Sequence, residues 1–105
     1  MEEYTSPGRR PEVPGLSPDD VWAATIAALP VGAPVSGEVI GRQPFGVFIR
    51  IDGLPEAVGL AEIIAMPEGM GLPVLGARIR GEVLDHVEHN CQVRVRLHEA
   101  GTAIE

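Results

Sequence analysis

The sequence predicts an all-β fold: five short strands closed into an antiparallel Greek-key barrel, with one short helix in front of them. Three observations carry this prediction. From Pro34 onward apolar residues recur at every second position, the period of a half-buried strand, and turn residues interrupt them at short intervals. Thirteen glycines and ten prolines, about a fifth of the 105 residues, break long helices and favour turns. A helical period occurs once, between Ser17 and Pro30. The length suits a single domain, and a 45% hydrophobic composition supplies its core.

Residues 1–16 carry Pro7, Gly8, Pro11, Pro14 and Gly15 among charges, with almost no apolar pattern, and are predicted to be a disordered tail. The helix is placed at 17–30. Ser17 offers a capping hydroxyl, Pro18 has a pre-set φ for the first turn, and Asp19 and Asp20 face the positive end of the helix dipole. Trp22, Ile26 and Leu29 fall on one side at spacings of four and three, and Pro30-Val31-Gly32 ends the helix. Trp22 is expected to plug an open end of the barrel rather than face a partner, because so small a domain needs the burial.

The barrel is placed at 31–98. Its first strand, Val35 to Gly41, turns Val35, Gly37 and Val39 to one face and Ser36 and Glu38 to the other. The second, Phe45 to Ile51, alternates Val47, Ile49 and Ile51 against Phe48 and Arg50. Asp52-Gly53-Leu54-Pro55 turns the chain into a brief third strand, Ala57 to Ala61. A connector follows, Glu62 to Leu75, in which Pro67, Gly69, Gly71 and Pro73 forbid regular structure beyond one helical turn at 62–66. Strands at Arg78 to His86 and Cys91 to His98 form a hairpin with Ile79, Val83, Val93, Val95 and Leu97 inward. Residues 99–105 are predicted to be a frayed C-terminal tail. Five strands with a helical turn between the third and fourth fit a barrel of the oligonucleotide/oligosaccharide-binding (OB) kind.

A formal charge of −7, from eight arginines, no lysine and fifteen carboxylates, excludes the overall footprint of a duplex or polyanion binder. Any nucleic-acid contact must rest on a local patch. The acidic opening Met1-Glu2-Glu3-Tyr4 lacks the layout of a secretory signal, and no apolar run is long enough to span a bilayer. The expectation is a cytoplasmic monomer with no membrane partner. Cys91 is the only cysteine, so no intramolecular disulfide can form.

The stretch from Leu29 to Val39, then Pro44-Phe-Gly-Val-Phe-Ile-Arg-Ile-Asp52, then Val58-Gly-Leu-Ala-Glu-Ile63, resembles the S1 RNA-binding domain. The likeness continues through Val74 to Leu84 and Val93 to Leu97, covering roughly residues 29 to 98. It implies a five-stranded OB barrel whose strand-two and strand-three face binds single-stranded RNA weakly and with little sequence preference. The family's two base-stacking aromatics match Phe45 and Phe48. An unpaired base stacks on phenylalanine for about 1–3 kcal/mol whatever its identity. The alternative for Phe48 is that the C-terminal tail or the N-terminal helix covers it.

The sequence also departs from the family. Two residues after the Gly-Leu pair, where the family usually has histidine, stands Glu62, an acceptor that repels phosphate. Where the family commonly has an aspartate and then a basic residue, the register gives Val87 and then Cys91 or Gln92. Arg50, Arg94 and Arg96 lie on the polar parity of their strands and are candidates to replace the missing cation, against the alternative of a solvated face balanced by Glu38 and Glu82. The candidate RNA-binding residues are therefore Phe45, Phe48, Arg50, Arg94 and Arg96. The competing reading is a protein-interaction module on a degenerate S1 barrel that has lost RNA binding and uses its acidic surface and the Trp22 helix.

Other chemistry finds little support. His86, His89 and Cys91 crowd one turn, but His98 should lie most of a strand length away, so four converging metal ligands are not expected. The glycine-rich run Gly69 to Gly76 lacks the Gly-Lys-Ser/Thr of a phosphate loop. Ser36 has no evident base, Cys91 no electropositive neighbourhood, and the carboxylates form no acid/base pair motif, so neither an enzyme nor a cofactor is expected.

Overall fold

The computed structural model describes Gly15 and residues 17–54, 57–88 and 91–100. Helix α1 spans Pro18–Ala28, followed by β1 (Pro34–Gln43), β2 (Gly46–Ile51), β3 (Val58–Glu62), a 3-10 turn at Ile63–Ala65, β4 (Arg78–Val87) and β5 (Gln92–Ala100). The five strands form a closed barrel in the order β1-β2-β3-β5-β4. Among the described residues no helix is long and apolar enough to cross a membrane.

The helix starts as its sequence dictates. Ser17 Oγ accepts from the Asp20 amide at 3.1 Å, and the Asp20 carboxylate accepts from the Ser17 amide at 3.4 Å, a reciprocal cap on two otherwise orphaned donors. Thr25 and Leu29 are buried, and half-buried Trp22 packs against the core with its ring edge-to-face on His86. His86 Nε2 meets the Leu29 carbonyl at 2.7 Å, joining β4 to the C-terminal end of the helix. Trp22 thus faces the barrel.

Every inward residue expected on the strands is buried, and Val39, Val47, Ile49, Ile79, Val83, Val93, Val95 and Leu97 fill the centre. Met66, Met70 and Leu72 of the connector pack on this core from outside. Gly81 makes the tight winding possible: a Cβ there would overlap the Arg96 carbonyl across the β4–β5 ladder, which is bulged between Arg80 and Gly81.

Three expectations are corrected. The barrel is not antiparallel throughout, because β3 and β5 run parallel, paired through Val58↔Gln92, Gly59↔Val93 and Leu60↔Arg94. A closed ring with an odd number of strands cannot alternate direction at every seam, so closure imposes one parallel pair. The third strand begins one residue later than expected and includes Glu62. The fifth strand runs to Ala100, so residues 99 and 100 pair with β4 instead of fraying, and Glu99 meets Arg80 at 3.4 Å. The tail predicted at 1–16 lies outside the described residues apart from Gly15, as do residues 101–105.

Candidate nucleic-acid interface

The β1–β2 hairpin closes at the pair Gln43↔Gly46, leaving Pro44 and Phe45 as a two-residue tip. Gly46 is required there, because a Cβ would run into the Ala61 carbonyl and the Glu62 backbone of β3. With that contact open, the Phe45 carbonyl accepts from the Ile63 amide at 2.9 Å and fixes the tip over the end of β3. Phe45 is thereby held at 49% exposure with its carbonyl tied to the chain just past β3.

Phe48 sits differently. It occupies the strand parity assigned to solvent, yet is only 9% exposed. Its ring meets Phe45 edge-to-face, with centroids 6.0 Å apart and planes at 89°, and its cross-strand neighbours are Gly41 and Leu60. Of the two aromatics, then, Phe45 presents a surface and Phe48 supports it. These neighbours of Phe48 lie in its own hairpin and in β3; the expected cover by the C-terminal tail falls outside the described residues from 101 onward.

The registers line up one row across the outside of the barrel: Phe48 opposite Leu60, Leu60 opposite Arg94, and Arg94 opposite Asp85. Glu62, two residues past Leu60, points to the same side as Leu60. Arg94 donates to Glu62 Oε1 from Nε at 3.1 Å and from Nη2 at 2.7 Å, and to Asp85 Oδ2 from Nη1 at 3.2 Å. The hydrogen bond to Glu62, with the charges of both carboxylates, raises the Arg94 pKa above its ordinary value against a small opposing effect of burial. Among the described residues three of its five N–H donors are committed, which leaves two for a ligand.

The remaining arginines divide clearly. Arg50 meets Glu38 at 2.6 Å, Arg78 clasps Asp52, Arg80 meets Glu99, and Arg42 donates to the Leu72 carbonyl at 3.3 Å. Arg96 is exposed and forms no ion pair or hydrogen bond among the described residues, although Glu82 is its direct partner across the β4–β5 ladder. Glu82 instead meets His98 Nε2 at 3.1 Å. Of the candidates, Phe45 and Phe48 are in ring contact, Arg94 lies in the row of Phe48 with Leu60 between them, Arg50 is bound to Glu38 on the neighbouring strand, and Arg96 stands beyond Arg94 along β5.

Sequence reasoning identified Glu62 but not its partner, and passed over Asp85. Glu62 reaches Arg94 only because β3 and β5 pair in parallel, and Asp85 reaches it through a register shift between Val83 and Asp85. Strand alternation carries no signal for either event. Ser36, unaccompanied in sequence, donates to Asp52 at 2.9 Å, and Cys91 Sγ lies 3.6 Å from the Glu88 carbonyl.

Beside this row the chain leaves a groove of about 450 Å³, walled by Ile64, Ala65, Met66 and Pro67 on one side and by Glu82, Arg94, Arg96 and His98 on the other. Ile63 at 48% exposure and Ile64 at 85% extend the apolar surface from Phe45 to its rim. No protein-family model and no curated protein matches the chain.

Proposed function

We propose that the chain is a divergent S1-like barrel of the OB, Greek-key kind that binds single-stranded RNA weakly, without catalysis and with little sequence preference. The observation that carries the reading is Phe45, a half-exposed aromatic held at a hairpin tip, backed by Phe48, with Arg94 on the same face. A flat ring on a rigid support accepts any base by stacking, while the sugar-phosphate chain needs donors nearby. The two uncommitted donors of Arg94 supply some of these, and the strand order β1-β2-β3-β5-β4 supports the OB assignment.

The same face argues for weak binding. Arg94 with Glu62 and Asp85 carries a net negative charge, and Arg50 is neutralised by Glu38, so phosphate gains little long-range attraction. The test is a titration of short single-stranded RNA into isotope-labelled protein at low salt. Amide shifts at Phe45 to Phe48 and at Arg94 support the reading; no shift at millimolar RNA overturns it.

The exposed Ile63 and Ile64 favour a second reading, in which this rim docks a protein partner. That reading requires no response to RNA and none to Phe45→Ala in RNA titrations.

A further inference from the structure

The groove along β5 continues the face on which Phe45 lies. The β3–β5 ladder stops at Leu60↔Arg94, while β5 runs on to Ala100. Past that point the chain leaves β3 through the 3-10 turn, so the flank of β5 that β3 would have covered faces a groove instead. Its connector wall, Ile64 to Pro67, is apolar. Its strand wall carries Arg96, a cation with no ion pair among the described residues.

The charges explain why this cation is available. Glu82 opposes Arg96 in the ladder, but its Oε1 meets His98, 3.1 Å from Nε2. Arg94, at the near end of the groove, is held by Glu62 and Asp85. The full set of ionisable groups on the groove walls is Glu82, Arg94, Arg96 and His98. Only Arg96 among the arginines there has its whole donor fork open.

From this geometry we infer that the groove is a second nucleotide subsite, taking a phosphodiester on Arg96 and the ribose or base against Met66 and Pro67. The inference rests on the RNA reading of Phe45 and gives the bound strand a path: from Phe45, past Arg94, into the groove. An anionic ligand with a flat or apolar body fits these walls, and a nucleotide next to one stacked on Phe45 is such a ligand by covalent connection. Arg96 then supplies the phosphate contact that Arg50 and Arg94, tied to carboxylates, supply poorly.

The test compares a dinucleotide and a hexanucleotide of mixed-sequence RNA by amide shifts and by affinity against salt, in the full chain and in Arg96→Gln. The substituted residue is exposed and unpaired, so an otherwise superimposable spectrum is the check on folding. The expected result is that the hexanucleotide moves Met66, Leu97 and His98 as well as Phe45 to Phe48. Arg96→Gln then abolishes the groove shifts, weakens the hexanucleotide about threefold to fivefold, and lowers the salt slope by about 0.7, the loss of one single-strand phosphate contact. Shifts at Phe45 with none in the groove, or an unchanged salt slope in Arg96→Gln, overturn the subsite and leave the RNA reading standing. Absence of shifts in both places overturns both.

Discussion

Arg94 places two hydrogen bonds on a single oxygen of Glu62, from Nε at 3.1 Å and from Nη2 at 2.7 Å. The pair bridges β3 and β5 at the end of the parallel seam, where only three residue pairs join the strands. The carboxylate that departs from the S1 pattern is therefore the anchor of a candidate RNA-binding cation. Glu62 both fixes Arg94 in place and cancels its charge.

Glu62→Gln is expected to strengthen RNA binding. The amide oxygen still accepts from Arg94, while the charge facing phosphate disappears, so affinity rises about threefold to tenfold at low salt and the gain shrinks as salt is raised. The ion pair is about one-third exposed on each side, so the stability cost stays at about 1 kcal/mol or less. Fluorescence anisotropy across a salt series reads the first effect and urea unfolding the second. Weaker binding in this variant would mean that Arg94 needs the full carboxylate to be positioned.

Phe45→Ala and Phe48→Ala separate recognition from support. Phe45 is half exposed, so its truncation removes about 1–3 kcal/mol of base stacking at a modest cost to the fold. Phe48 is nearly buried, and its truncation destabilises the barrel by about 3–5 kcal/mol. Equal destabilisation of the two variants in urea would contradict the division of roles.

Gly46→Ala attacks the same tip through the backbone. The new methyl group overlaps the Ala61 carbonyl, so β2 and β3 must separate where Phe45 bonds Ile63. The expected outcome is lost protection of the Ile63 amide in hydrogen exchange, a destabilisation of about 1–3 kcal/mol, and loss of the RNA response at Phe45.

Acid stability reports a different pair. The Arg78 guanidinium, hydrogen-bonded to Asp52, holds its carboxyl below the ordinary value of 3.8, opposed by partial burial and assisted by the Ser36 hydroxyl. Between the lowered folded value and 3.8 the unfolded chain binds more protons, so stability rises with pH there. The contribution is complete above the unfolded value and is lost as pH falls through the folded one. Asp52→Asn is therefore expected to flatten the acid limb below about pH 4 and to leave the shape near neutrality unchanged. Both side chains are about half exposed, so the effect is small. Thermal unfolding over an acid pH series measures it.

Local chemistry determined much of this protein from the sequence. The Ser17 cap, the inward valines and isoleucines and the five strands follow from capping groups, period-two burial and turn residues, all acting within a few positions of the chain. Phe45, expected as the first residue of the second strand, sits instead in a two-residue tip because β1 runs on to Gln43 and β2 starts at Gly46. What the tertiary structure decided lies in contacts between strands distant in sequence. Closure of an odd-numbered ring made β3 and β5 parallel, which set Glu62 on Arg94, and a bulge in β4 brought Asp85 to the same guanidinium. Phe48, on the solvent parity, is buried because Phe45 folds against it. Arg50 and Arg96 look alike in sequence, yet one meets Glu38 and the other loses its neighbour Glu82 to His98. Charge identity is written in the chain, but charge pairing depends on register and closure, which residue periodicity does not encode.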